Sequence, residues 1–217
     1  TFNKCYPLRS KRDRFHLNAW QTPSADELAE NGLNLLTHHA SLVTENAERF
    51  KAFSNYIVAD AYYSKRPIVK AVKSSNLEFI SRLRDDSVLK YKSTGERTGK
   101  KGAPKKFAGL VRVYNFNPNH FSLDLSNEEI TIFSLVVYSK AFKMDIKLAI
   151  AIFYKQSVEM ARKLYISTDL KQDGEKIVRY YRSRFQIEFL YRDAKQFTGL
   201  TSCQARSKDK LDFHFNA

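Results

Sequence analysis

The spacing of apolar positions predicts a strand and then a helix near the start of the chain. Residues 12–20 alternate apolar and polar side chains, with Phe15, Leu17 and Ala19 on one side, which is the period of a half-buried strand. After a Gln-Thr-Pro-Ser break, leucines recur at helical spacing and predict a helix over about Ala25 to Ala40. The opening pattern therefore mixes the two kinds of element.

A strand, helix, strand unit is predicted next. A short apolar run begins at Tyr56 and ends at Asp60, a helix-compatible stretch carries Ile68, Val69 and Val72, and residues 77–81 are again strand-like. A side chain that follows a buried strand in an open α/β sheet lies beside the crevice in which ligands bind. The pattern therefore assigns Asp60 to a ligand-binding position.

The middle of the chain has β character. A loop rich in Gly, Lys and Arg over 94–109 precedes strand-type runs, which predict an inserted β-rich subdomain. The predicted strands are 110–116, 121–125, 131–138 and 148–154. A last strand over 162–167 is followed by a predicted helix from Asp173-Gly174 to about Phe197. We therefore expect two core parts, 1–83 and 158–217, flanking an insertion over 84–157.

Charge changes this picture more than composition does. Apolar residues make up 43% of the 217, enough for a substantial core, but Lys and Arg outnumber Asp and Glu by 37 to 23, a net charge of +14. Such a charge attracts polyanions, and no apolar run approaches the roughly 20 residues of a membrane span, so we expect nucleic acid and no membrane. Cys5 and Cys203 have no metal-ligand or CxxC spacing, which favours a cytoplasmic location over an oxidising one.

The last predicted helix carries the residues with the clearest chemistry. On one continuous helix, Tyr181, Arg184, Glu188 and Lys195 would share a stripe about 60° wide. A phenol, a guanidinium, a carboxylate and an ammonium on one stripe favour a site for a charged ligand and a cation. Taken singly, each of these residues is more typical of a solvated helix face, and Arg184 and Glu188 have the spacing of an ordinary ion pair.

As a set, these four residues resemble a known signature. Tyr, two residues, Arg, three residues, Glu, six residues and Lys is similar to the signature of one large group of bacterial insertion-sequence transposases of the DDE type. Three further segments resemble stretches of that family: Val58 to Tyr62 its second-Asp segment, Gly102 to Phe107 its Gly-x-Pro-Lys-Lys-aromatic stretch, and Leu164 to Asp169 the strand before its signature helix. The resemblance extends from about residue 56 to residue 199.

The resemblance implies an α/β fold with an RNase H-like, retroviral-integrase-like core and a β-rich insertion. It implies that Asp60 and Glu188 are the second and third of three metal-binding carboxylates, which hold Mg²⁺ or Mn²⁺, with two ions in the site. The family's first Asp lies on its first strand, and no residue here takes that place, so we expect an internal piece of a larger transposase. The implied reaction is cleavage at transposon ends and strand transfer into target DNA.

The family's partners follow from the same resemblance. Tyr181, Arg184 and Lys195 are expected to contact transposon-end DNA, and double-stranded target DNA is the second substrate. Lys105 and Lys106, in a basic loop with Arg97, Lys100 and Lys101, either add backbone contacts or form only a solvated loop. A homodimer is expected in the synaptic complex. The sequence contains no Gly-rich phosphate loop, so we expect no nucleotide cofactor. The histidines show no metal-ligand spacing.

Two other functions stay open. One is a catalytically inactive DNA-binding remnant of a transposase, because the first Asp is not found in this sequence. The other is a different RNase H-like nuclease, such as a structure-specific resolvase. The set formed by Tyr181, Arg184, Glu188 and Lys195 argues against such a nuclease, because general RNase H-like nucleases lack that set.

Overall fold

The computed structural model describes residues 24–93, 105–197 and 210. The predicted strand over 12–20 and the basic residues Arg97, Lys100 and Lys101 lie outside the described residues. Two compact units divide the chain: Ala25–Glu188 form one, and Thr1–Ser24 with Phe189–Ala217 form the other. The sheet and the helices packed on it belong to the unit formed by Ala25–Glu188.

The first unit is built on one mixed sheet. In chain order the strands are β1 (Tyr56–Val58), β2 (Glu78–Leu83), β3 (Leu89–Lys92), β4 (Phe107–Leu110), β5 (Ser122–Ser126), β6 (Ile130–Ser139), β7 (Met144–Lys155) and β8 (Val158–Ser167). Their order across the sheet is β1-β2-β8-β7-β6-β3-β4, and β5 pairs with β6 off this path. Among the strand pairs of the described residues only β1–β2 is parallel, so the sheet is mostly antiparallel.

Six α-helices accompany the sheet in the described residues: α1 (Ala25–Glu30), α2 (Leu35–Glu45), α3 (Ala47–Lys51), α4 (Arg66–Ser74), α5 (Gly174–Ser183) and α6 (Gln186–Phe197). Short 3₁₀ helices cover Ala61–Tyr63, Val113–Asn115 and Pro118–His120. No helix within the described ranges combines the length and apolar character needed to cross a membrane.

The predicted strand, helix, strand unit is confirmed. Strand β1 leads through α4 to the parallel neighbour β2, with Ile57 opposite Phe79 in the register. Helix α4 buries Ile68, Val69 and Val72, the apolar face that the sequence predicts. Helix α4 returns the chain to a strand parallel to β1. Asp60 therefore lies just beyond the carboxyl end of β1, the position that the sequence pattern predicts for it.

Alternation along the strands gives the sheet two buried faces. Phe79, Leu148 and Leu164 belong to the core cluster that includes the apolar face of α4, which α2 covers in turn. Their neighbours Ile80, Ala149 and Tyr165 belong to a second cluster with the buried residues of α5. Side chains of successive strand residues point to opposite faces, so the sheet is covered by α4 on one side and by α5 on the other.

The helix predicted over Ala25 to Ala40 is wrong, because two helices take its place. Gly32 adopts φ +66°, and Leu33 N–H donates to the Leu28 carbonyl at 2.8 Å, the bonding pattern of a left-handed helix end. Asn34 then caps α2 by accepting from Thr37 N–H at 3.0 Å. Leucine periodicity continues across this break, which is why it predicted a single helix.

The strands of the predicted insertion continue the main sheet. Over their full length β6 and β7 pair with each other, and β7 pairs with β8, which pairs with β2. The predicted strand over 110–116 is wrong, because β4 ends at Leu110 and a 3₁₀ turn follows over Val113–Asn115. The asparagines and the proline of the Asn-Phe-Asn-Pro stretch that begins at Asn115 favour turns and interrupt strand pairing. The domain bounds 84–157 remain a prediction.

Helix α5 starts in a tightly packed position on β5 and β6. Gly174 N–H donates to Asp124 Oδ2 at 2.6 Å, and Asp173 caps the helix by accepting from Lys176 N–H at 2.7 Å. A Cβ on Gly174 would lie 2.5 Å from that same Asp124 oxygen and 3.0 Å from Ile132 Cγ2. Glycine at this position lets the backbone approach the sheet, and this approach sets where α5 crosses it.

We expect Gly174→Ala to destabilise the protein by about 1–3 kcal/mol, as overpacked core positions do. Alanine ordinarily stabilises a helix relative to glycine by about 0.5–1 kcal/mol, so the clash with Asp124 and Ile132 reverses the usual sign. Urea unfolding monitored by circular dichroism measures the change, with Glu175→Ala, an exposed neighbour on α5, as the control. Unchanged or increased stability of the Gly174 variant would contradict this packing.

Candidate active site

The backbone around Asp60 is held firmly. Ala59 N–H donates to the Ile80 carbonyl at 3.1 Å, which extends the β1–β2 pairing by one residue. The hydroxyl of Ser81, which is fully buried, donates to the carbonyls of Ala59 at 2.9 Å and Asp60 at 3.1 Å. Ser64 Oγ donates to Ser81 Oγ at 2.8 Å. These bonds anchor the chain where it leaves the sheet edge.

Asp60 is exposed, and the two oxygens of its carboxylate differ in their hydrogen bonds. Asp60 Oδ1 accepts from Ala61 N–H at 2.6 Å, which caps the 3₁₀ helix that follows, and from the Tyr181 hydroxyl at 3.4 Å. Within the part of the chain that the structure describes, Oδ2 has no hydrogen-bond partner. The described hydrogen bonds of the Asp60 carboxylate therefore all go to one of its two oxygens.

The single helix predicted from Asp173 to about Phe197 is wrong. Helix α5 ends at Ser183, α6 begins at Gln186, and the turn between them is closed by bonds to the third preceding residue, including Ile187 N–H to the Arg184 carbonyl at 3.0 Å. Each residue in such a turn advances about 120° instead of about 100°. The shared stripe predicted for Tyr181, Arg184, Glu188 and Lys195 assumes one continuous helix, so its calculated angles do not apply across the turn between α5 and α6.

Tyr181 nevertheless points toward Asp60. Its side chain is only 6% exposed, and its ring lies 5.0 Å from the ring of Tyr165, measured between centroids. Burial, and then the negative charge of Asp60, raise the pKa of Tyr181, while the charge of Arg184 partly opposes the shift. The phenol therefore stays protonated at neutral pH and can donate its hydrogen to the carboxylate.

Arg184 joins Tyr181 to Glu188. The Arg184 guanidinium carbon lies 5.7 Å from the Tyr181 ring centroid and 4.9 Å from that of Phe185. Its Nη1 lies 3.6 Å from Glu188 Oε1, and the side chain of Glu188 is 61% exposed. Asp60, Tyr181, Arg184 and Glu188 thus form one continuous chain of contacts, although they come from two distant parts of the sequence.

Three predicted site residues are not brought into these contacts. Lys195 lies near the end of α6, in the second compact unit. Lys105 and Lys106 are exposed at the start of β4, and Lys106 Nζ lies 5.8 Å from the Phe107 ring centroid. Strands β1 and β4 are at the two ends of the sheet order, with five strands between them. Lys105 and Lys106 are therefore far from Asp60 across the sheet.

Sequence reasoning missed the residues that support this site. Ser81, Ser64 and Tyr165 anchor Asp60 and Tyr181, and the hydroxyl of Tyr56 donates to Asp169 Oδ2 at 2.7 Å. This bond, together with burial, raises the pKa of Tyr56 to about 12 and ties β1 to Asp169, two residues after the end of β8. The only signal in the sequence was a small polar residue inside a buried strand, which by itself has many structural explanations.

The donor set fits part of a magnesium or manganese site. Asp60 and Glu188 offer exposed carboxylate oxygens, the ligand type that these hard cations prefer, and the described ion pair of Glu188, with Arg184, is long at 3.6 Å. In the described residues, no group of three or more His, Cys, Asp and Glu side chains is placed to hold a metal ion. The two carboxylates are therefore chemically suitable and supply only part of such a site.

Comparison with known proteins identifies the family. No curated protein matches the chain. The family model described as "Transposase DDE domain" matches residues 36–216, which include α2 from its second residue, α3 to α6, and every residue of the contact chain from Asp60 to Glu188. This match extends over far more than half of the 217 residues. The chain therefore belongs to the transposase DDE domain family.

Proposed function

We propose that the complete protein is a cut-and-paste DNA transposase with an RNase H-like catalytic domain. The observation that carries the proposal is the contact chain from Asp60 through Tyr181 and Arg184 to Glu188, in a chain of the transposase DDE domain family. It links the carboxylate after β1 to the carboxylate at the start of α6. The charge of +14 supports a DNA substrate.

The layout of the first unit supports the RNase H-like part of the proposal. Parallel strands β1 and β2 are joined through α4, an acidic residue follows β1, and a helix packed on the other face of the sheet leads to the second acidic residue. The described residues between these parts, 84–93 and 105–157, are mainly β-structure, as expected for the family's insertion. The third carboxylate would come from the family's first strand.

In this proposal Asp60 and Glu188 are the chain's ligands for two Mg²⁺ or Mn²⁺ ions. When bound, two such ions activate the attacking oxygen and neutralise charge on the phosphate and the leaving oxygen. The residues of the chain hold the carboxylates in place: Ser81 fixes the Asp60 backbone, and Tyr181 contacts the Asp60 side chain. This support makes the site rigid before DNA arrives.

The cationic residues bind DNA in the proposal. Arg184, with 19% of its side chain exposed, presents a planar fork that suits a phosphate close to the two carboxylates. Lys195, Lys105 and Lys106 are proposed to contact the backbone of transposon-end or target DNA. A homodimer would pair the two transposon ends in a synaptic complex.

The proposal is tested with the complete gene product and duplexes made from the inverted repeats that flank its gene. We expect nicks at the repeat ends with Mg²⁺ or Mn²⁺, none with EDTA, and joining of the new 3′ hydroxyl to a target plasmid, all measured on sequencing gels. DNA binding without cleavage in any divalent ion would favour a catalytically inactive DNA-binding protein. Cleavage of branched DNA regardless of the repeats would favour a resolvase-type nuclease.

A further inference from the structure

Tyr181 is placed to act on Asp60 and is poorly placed to hold a phosphate. Its side chain is 6% exposed, with the ring packed against Tyr165 and beneath the guanidinium of Arg184. The described hydrogen bond of its hydroxyl goes to Asp60 Oδ1 at 3.4 Å. A DNA phosphate needs an accessible donor, and the exposed groups here are the carboxylates of Asp60 and Glu188.

The two oxygens of Asp60 are in different situations. Oδ1 accepts from Ala61 N–H at 2.6 Å and from Tyr181, whereas Oδ2 has no hydrogen-bond partner in the described ranges. Two donors on one oxygen restrict rotation of the carboxylate about its terminal bond, because a turn would break both. The same two donors reduce the capacity of Oδ1 to accept a further positive group, so Oδ2 becomes the better ligand atom.

Hydrogen bonds to metal-binding carboxylates orient them, and loss of such a bond typically costs about 10- to 100-fold in metal affinity or activity. Ala61 N–H belongs to the backbone and cannot be removed by substitution without altering the 3₁₀ turn. Tyr181 is the side chain through which this support can be tested. Its ring position is fixed by Tyr165, so removal of the hydroxyl alone leaves the packing in place.

We propose that Tyr181 is a positioning residue for the metal site: its hydroxyl fixes Asp60 through Oδ1 and leaves Oδ2 to bind the cation. This inference rests on the proposed function, because it requires Asp60 to be a metal ligand. It differs from the role expected from family resemblance, in which this tyrosine contacts DNA. The long O···O distance of 3.4 Å places the expected effect at the lower end of the range for such bonds.

The test uses the complete protein and Tyr181→Phe, which keeps the ring and removes the hydroxyl. Mn²⁺ binding is followed by loss of the free-ion electron paramagnetic resonance signal, and DNA binding by fluorescence anisotropy in EDTA. We expect the Mn²⁺ dissociation constant to rise about tenfold. DNA affinity and the urea midpoint should stay unchanged. Tyr180→Phe is the matched control, since Tyr180 is half-buried and its ring contacts Tyr56 instead of Tyr165.

The outcomes separate this inference from the proposed function. Reduced DNA affinity with unchanged Mn²⁺ affinity would make Tyr181 a DNA contact and overturn the positioning role. Unchanged values for both would overturn it as well. If Asp60→Asn leaves Mn²⁺ binding intact, the ion binds elsewhere and the proposed metal site fails together with the inference. If Asp60→Asn weakens Mn²⁺ binding and Tyr181→Phe does not, the proposed metal site stands and only the positioning role of Tyr181 is overturned.

Discussion

Glu188→Gln is expected to lower the rate of DNA cleavage by at least about 10³-fold, which corresponds to a loss of roughly 4 kcal/mol of transition-state stabilisation. The amide has the shape of the carboxylate but no charge to hold a divalent cation. Folding should not change, since the Glu188 side chain is 61% exposed and its 3.6 Å contact with Arg184 is worth at most about 1 kcal/mol at a surface. Cleavage of end-labelled repeat DNA in Mg²⁺ measures the rate.

The control for Glu188→Gln is Glu175→Gln, an exposed acidic residue in the first turn of α5. This control loses the same charge and should cleave at the wild-type rate. DNA affinity of the Glu188 variant should stay equal or rise slightly, since a negative charge near the phosphates is removed. Wild-type cleavage by Glu188→Gln would remove this residue from the site, whatever role Asp60 has.

Arg184→Ala is expected to weaken binding of transposon-end DNA by about 10- to 100-fold, the effect of losing one charge-assisted hydrogen bond worth about 1.5–3 kcal/mol. Arg184→Lys should recover only part of this loss, because a lysine keeps the charge but cannot make the bidentate contact. Arg184 also contacts the rings of Tyr181 and Phe185, so urea unfolding must accompany the measurement. Fluorescence anisotropy at fixed salt concentration gives the DNA affinities.

Arg179→Ala serves as the control for Arg184→Ala, since Arg179 lies in α5, which ends just before Arg184, and has an exposed side chain. It removes the same charge, and DNA affinity should fall by no more than the loss of one weak phosphate contact would cause. Equal affinities for wild type, Arg184→Ala and Arg184→Lys would show that Arg184 is only a structural partner of Glu188. An unfolded Arg184→Ala with a folded, weakly binding Arg184→Lys would still support the phosphate role.

Strand periodicity and the placement of Asp60 could be predicted from the sequence. Buried strands such as β6 and β7 have long apolar runs, and an apolar run that ends in an acidic residue identified β1 and Asp60. Helix α4 was also predicted, because its apolar residues Ile68, Val69 and Val72 follow helical spacing closely. These features depend on local patterns that one short window of sequence contains.

Helix breaks and the supporting contacts could not be predicted. The break after α5 depends on bonds at Arg184 and Phe185 to the third preceding residue, which differ from ordinary helix bonds by a small change in backbone angles. The support of Asp60 by Ser81 depends on which strand becomes the neighbour of β1. Such contacts arise from tertiary pairing, and a short window of sequence does not contain them.

The strand order has a consequence for how the protein folds. Hairpins β6–β7 and β7–β8 close over short turns, whereas β2 pairs with β8 through Ile80 and Ser167, which are far apart in the chain. Contacts between distant residues carry a larger loop-closure entropy and form late. The hairpins can therefore assemble early, and docking of the β1–α4–β2 unit onto them comes afterwards. A chain arrested before that docking step would contain most of its sheet but would not yet bring Asp60 to Tyr181.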